Sequence, residues 1–85
     1  MPWTIVVERP ARKLLSRFPK SDQARILAAI DVLALDPFAA RNVAPLKGRS
    51  GYRMRVGDYR VIYRLEKNRL IIVVFDLGQR SGVYD

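Results

Sequence analysis

Residues 51–63 read GYRMRVGDYRVIY, and their spacing decides the fold. Apolar and charged residues alternate at period two, the pattern of a strand with one face buried. Gly57-Asp58 breaks the alternation, and a two-residue loop that begins with Gly signals a β-hairpin. Folding the chain there sets a register. Val56 meets Tyr59, Arg55 meets Arg60, Met54 meets Val61, Arg53 meets Ile62 and Tyr52 meets Tyr63. One face then carries Tyr52, Met54, Val56, Tyr59, Val61 and Tyr63, which is a core face. The other carries Arg53, Arg55 and Arg60. Like charges directly opposite one another destabilise a strand pair. A solvated basic face would show the same alternation. The pairing of Arg55 with Arg60 points instead to a preformed anion site, because guanidinium groups are planar, always charged and able to grip two phosphate oxygens.

The rest of the chain frames this hairpin. Trp3 to Val7 is a β-branched apolar run and predicts a first strand. Pro10 suits the opening of a helix, where no amide donor is needed. Ala11, Leu14, Leu15 and Phe18 then fall on one helical face, and Arg9, Arg12, Lys13, Arg17 and Lys20 crowd the remainder. Pro19 is expected to end this helix. Ser21 or Asp22 is expected to cap a second, running to about Leu35 with Ile26, Leu27, Ile30, Leu33 and Ala34 inward. So short a link predicts an antiparallel helix pair. Asp36 to Ser50 reads as a long connection, with Val43 and Leu46 as apolar plugs. After the hairpin, which ends near Glu66, Lys67-Asn68 predicts a tight turn in which Asn takes the left-handed conformation. Arg69 to Leu77 holds LIIVVF, apolar on both faces, as in a strand covered on both sides. Gly78-Gln79-Arg80 is expected to break it.

The predicted order is βααβββ over a single domain, residues 1–85. The class is α+β: a helical hairpin on one face of a small, mainly antiparallel four-stranded sheet, with the arginines on the other face. Composition narrows the function. The 85 residues carry 16 Lys and Arg against 8 Asp and Glu, a net charge of +8, which points to a polyanion or an acidic protein partner. There is no Cys, hence no disulfide, thiolate metal site or thiol nucleophile, and no His, the commonest general acid–base. Glu8, Glu66 and Asp76 lack the spacing of a carboxylate pair, so neither metal nor cofactor is expected. No apolar run approaches a membrane span and no signal peptide precedes the first strand, so a cytoplasmic protein is expected.

The segment YRMRVGDYRVIYRLEKNRLIIVVFDLGQRSGVYD, with the earlier PARKLL and Leu46-Lys47-Gly48, resembles the RelE toxins of the RelE/ParE toxin–antitoxin superfamily. The features carrying the resemblance are G-D-Y-R-V-I-Y, a later G-x-R and a terminal V-Y. RelE toxins cut mRNA in the ribosomal A site. The resemblance therefore implies a ribosome-dependent endoribonuclease, neutralised by a RelB-like antitoxin. It implies cleavage without a metal, by attack of the 2′-OH on the adjacent phosphorus to leave a 2′,3′-cyclic phosphate. The family's functional positions fall on Arg53, Arg55, Arg60, Arg80 and Tyr84. Arg53, Arg55 and Arg60 would grip phosphates, and Arg80 would meet the transition-state charge or leaving oxygen. Tyr84 would stack on a base or steer the 2′-OH. The best-known members carry lysine where this chain has Arg53 and Arg55, and arginine keeps its proton near neutral pH. The basic helix face of Arg9, Arg12, Lys13 and Arg17 would face the 16S rRNA backbone. Two other readings are a ParE-like inhibitor of DNA gyrase and a non-catalytic relative that only binds RNA or antitoxin. Outside the resemblance, Tyr84 could simply pack its ring, and Arg80 could pair with Asp76.

Overall fold

The computed structural model describes residues 2–79. The elements are β1 (Thr4–Val7), α1 (Arg9–Ser16), α2 (Lys20–Leu35), β2 (Val43–Pro45), β3 (Tyr52–Val56), β4 (Tyr59–Glu66) and β5 (Ile71–Gln79). They form an α+β fold with two helices on a single five-stranded sheet of order β1-β5-β4-β3-β2. β1 runs parallel to β5 and every other neighbouring pair is antiparallel. The strand beyond the expected four is β2, three residues of the long connection that pair with Tyr52, Arg53 and Met54.

The hairpin register is the one the alternation predicts, from Tyr52 opposite Tyr63 to Val56 opposite Tyr59. Gly57 makes the turn with φ of +59°, and its missing side chain leaves room for the Arg25 guanidinium, which a Cβ there would strike. Met54, Val56, Tyr59, Val61 and Tyr63 are buried on the helix side with Ile72, Val74 and Leu77 of β5. Facing them are Ala11 and Leu15 of α1 and Ile26, Ile30, Leu33 and Ala34 of α2. Burial of this one continuous cluster is the main favourable term for a chain so short.

The ends of the helices differ from expectation. α1 stops at Ser16, and Pro19 opens α2 instead of closing α1: its carbonyl accepts the N–H groups of Asp22 (3.0 Å) and Gln23 (2.9 Å). Proline does this well because its fixed φ prepares the first turn. Neither Ser21 nor Asp22 caps the helix. Asp22 turns its carboxylate to the sheet and accepts a 2.7 Å hydrogen bond from the Tyr59 hydroxyl, while the Tyr59 ring packs on Phe18 at 4.5 Å. Leu27, expected inside, is 44% exposed, because the buried stripe of α2 follows Ile26, Ile30, Leu33 and Ala34. In the β4–β5 turn the left-handed residue is Leu70 (φ 53°), not Asn68. Leu70 donates its N–H to the Lys67 carbonyl at 3.4 Å.

β5 holds the feature that positions the open face. Its register on β4 shifts between Ile62 and Tyr63: Ile62 faces Asp76, but Tyr63 faces Val74, so Phe75 has no cross-strand partner. This bulge lets Val74 and Leu77, three residues apart, both reach the core. The strand also continues through Gly78 and Gln79, where a break was expected.

Two buried phenols tie stability to alkaline pH. Burial first, and then the neighbouring Tyr52, push the Tyr63 hydroxyl from 10.0 up to about 12. The hydrogen bond to Asp22, then burial, raises Tyr59. A folded-state value above the unfolded one gives stability that is complete below about pH 10 and disappears as pH rises through about 12. For Tyr63 the rise from 10.0 to about 12 corresponds to about 2–3 kcal/mol. Thermal melts followed by circular dichroism should therefore collapse between about pH 10 and 12. Tyr63→Phe should flatten that loss, and an equally steep loss in the variant would remove Tyr63 as its cause.

Candidate functional site: an arginine groove on the open sheet face

Strand pairing sets out the open face in rows. One row runs Asn42, Arg55, Arg60, Gly78 and the next runs Ala44, Arg53, Ile62, Asp76. Alternation on β3 and β4 puts the arginines on this face while their neighbours fill the core. Small side chains flank them: Ala44 beside Arg53 on the β2 side, and Gly78 beside Arg60 on the β5 side. Between lies a groove of about 260 Å³ lined by Arg41, Asn42, Val43, Ala44, Arg53, Arg55 and Arg60. None of these lining residues is acidic.

The three arginines of the hairpin are thus brought together, as the sequence predicts, but they are not equally exposed. Arg55 is exposed and Arg53 half-buried, whereas Arg60 is only 5% exposed. Arg60 sits on the inner strand β4, between β3 and β5. The expected solvent-facing set is corrected in this respect. Nor is the face purely basic, since Ile62 and Val73 are buried on it, apart from the helix-side core. Arg80 and Tyr84 lie outside the described residues. Arg9, Arg12, Lys13 and Arg17 are exposed along and just beyond α1, as expected.

Two groove residues escape the sequence reading. Arg41 brings a fourth guanidinium into the lining from the loop before β2. Asn42 holds Arg55 at both backbone groups: its carbonyl accepts the Arg55 N–H at 2.9 Å, and its side-chain amide donates to the Arg55 carbonyl. Nothing in the apparent loop 36–50 marks these two residues, because only the pairing of β2 with β3 brings them to the arginines.

The arrangement can bind a polyanion. Three guanidinium groups carried on the hairpin strands and a fourth from the adjoining loop offer paired N–H donors to phosphate oxygens. The comparisons with known proteins agree with this fold. Residues 5–84 match the family of ParE toxins of type II toxin–antitoxin systems, parDE. The chain is also similar to the archaeal RelE of the RelE–RelB complex from Pyrococcus horikoshii, at 30% identity, with 98% of this chain and 100% of that chain covered and a TM-score of 0.84. It shares 24% identity and a TM-score of 0.84 with a chain of the Mycobacterium tuberculosis toxin–antitoxin complex RelBE2, covering 95% of this chain and 94% of that one. With a chain of the intact Escherichia coli RelBE complex the identity is 15%, the coverage 91% and 95%, and the TM-score 0.73. No curated protein matches. The chain belongs to the RelE/ParE superfamily and is the toxin of a type II toxin–antitoxin system.

Two substitutions separate grip from support. Arg55→Gln should leave the urea midpoint unchanged or raised, because the cross-strand charge conflict with Arg60 is relieved. Asn42→Ala should cost about 1 kcal/mol, the ordinary worth of one lost hydrogen bond. A loss well above about 1 kcal/mol in Arg55→Gln would make that arginine a structural prop.

Proposed function

We propose that this toxin is a metal-independent endoribonuclease that cuts mRNA in the ribosomal A site and is neutralised by a RelB-like antitoxin. The observation that carries the reading is the convergence of Arg41, Arg53, Arg55 and Arg60 on one groove. Cleavage of RNA needs no protein nucleophile, because the 2′-OH attacks the adjacent phosphorus. The enzyme must hold the phosphate, align the attack and offset the added negative charge, all of which placed guanidinium groups can do. Arg53, Arg55 and Arg41 grip the scissile and flanking phosphates, with Arg60 at the groove floor. Arg80 meets the transition-state charge or the leaving oxygen. Tyr84 stacks on a base or steers the 2′-OH. The exposed stripe of Arg9, Arg12, Lys13 and Arg17 faces the 16S rRNA backbone. The exposed Val32, Leu35 and Phe38 suit an apolar face of the antitoxin.

The rival reading is a gyrase inhibitor, and the match to the ParE family over residues 5–84 favours it. Primer extension on cellular mRNA after a pulse of expression separates the two. New 5′ ends inside reading frames are expected. DNA breaks and an SOS response without such ends would establish gyrase poisoning, and neither outcome would leave a binding protein without catalysis.

The chemistry predicts a pH profile. The chain has no His and no Cys, so the proposed site holds only arginines and a tyrosine. Arginine keeps its proton near neutral pH and a phenol is a weak acid, so such groups do not accept a proton efficiently at about pH 6. Single-turnover cleavage of ribosome-bound mRNA should rise from about pH 6 to about 8.5 without a bell, as Tyr84 or hydroxide takes the 2′-OH proton. Tyr84→Phe should slow cleavage and remove any plateau at the high end. A bell centred near neutrality would require a different base.

A further inference from the structure

The same face of the sheet carries a second basic cluster beyond the arginine groove. We propose that Arg49, Arg64 and Phe75 form a separate binding site for single-stranded RNA, a reading that rests on the ribonuclease function above and extends the path of the substrate. Three observations build it. First, the bulge on β5 leaves Phe75 without a cross-strand partner and half-exposed. Second, two guanidinium groups lie against its ring, with Arg49 at 5.9 Å and Arg64 at 5.7 Å from the centroid. Third, Arg49, Arg64 and Lys67 line a groove of about 430 Å³ together with Ser50, Gly51 and Tyr52. Gly51 keeps this corner open. Its φ is +118°, and a Cβ there would lie 2.9 Å from the Tyr63 carbonyl oxygen and 3.6 Å from the Phe75 ring.

The chemistry fits nucleic acid better than a simple anion. A guanidinium held on an aromatic ring is a flat, oriented plane on which an unstacked base can lie, and its edge still donates to phosphate. Arg64 is also held by Glu8 at 3.5 Å and Glu66 at 3.9 Å. Both pairs are solvent-exposed, so they orient Arg64 at little energetic worth and can yield to a phosphate. Arg64 lies four residues beyond Arg60 on the same face of β4, about 13 Å along the strand. One phosphate cannot reach both arginines, but a single strand of RNA crossing the sheet can.

The test uses the full chain and a short fluorescent oligouridylate, with binding followed by anisotropy across a salt series. Each phosphate contact on single-stranded RNA adds about 0.7 to the slope of log affinity against log salt. Replacing both arginines (Arg49→Gln with Arg64→Gln) should weaken binding and lower that slope by about 1.4. Arg49→Lys with Arg64→Lys should keep the slope and still lose affinity, because the charge stays and the stacking plane goes. An unchanged slope in the glutamine variant, or no binding by the unaltered chain, overturns the site. So does a glutamine variant that loses affinity for the antitoxin while its RNA slope is unchanged, since the cluster is then a protein contact. A lowered slope in a chain that produces no new 5′ ends in cells would keep this site and remove the ribonuclease reading.

Discussion

The register of β3 on β4 is the constraint from which the rest of the molecule follows. Side chains on a strand alternate, so a slip of one residue would send Arg53, Arg55 and Arg60 into the helix-side core and Met54, Val61 and Tyr63 to solvent. Burying three guanidinium groups without partners would cost far more than the whole stability of a domain this size. The apolar half of the hairpin therefore enforces the position of the basic half. Asn42 extends the same logic by fixing the backbone of Arg55 from the neighbouring segment.

This arrangement has an electrostatic cost, and the neighbours of the arginines show how it is contained. Arg55 and Arg60 face one another directly. Gly78, opposite Arg60 on the β5 side, leaves room there. On the helix side, Tyr59 ties the hairpin to α2 through Asp22, so that carboxylate serves the fold. The groove is left with guanidinium groups and no acidic lining residue, which is a good site for an anion and a poor one for a metal ion. Farther along the same face the balance changes, because Arg64 is matched by Glu8 and Glu66 and Arg69 by Glu66.

What the sequence discloses and what it hides divide along physical lines. Period-two alternation and a Gly-led turn make the β3–β4 hairpin legible to the residue, because each face has a single solvent. β5 was legible only as an interior strand. LIIVVF is apolar on both faces, so no alternation marks the bulge that sets Phe75 apart from Val74 and Leu77. β2 was hidden because three residues between prolines carry no periodic signal, and with it went Arg41 and Asn42. Local signals misled where tertiary contact overrode them. Asp22 looks like a helix cap but serves Tyr59, and Asn68 looks like the left-handed residue of a turn that uses Leu70. The burial of Arg60 could not be read from the alternation, which puts it on the same face as the exposed Arg55 and Arg64.

The same scaffold accommodates the two branches between which this toxin falls, and the fold alone does not choose between them. The match to the ParE family rests on sequence over nearly the whole chain, while the similar structures from Pyrococcus horikoshii and Mycobacterium tuberculosis are RelE–RelB or RelBE complexes. What distinguishes the branches must lie in the side chains carried by the sheet. A protein that only blocks a partner can spread its charge over any exposed surface. A ribonuclease without histidine or cysteine must concentrate fixed positive charge where a phosphate gains negative charge, on an element rigid enough to hold it there. In this chain the charge is concentrated: two adjacent rows of the sheet carry Arg53, Arg55 and Arg60, and a neighbouring loop adds Arg41. The sheet holds these guanidinium groups on one face, an arrangement suited to binding an anion.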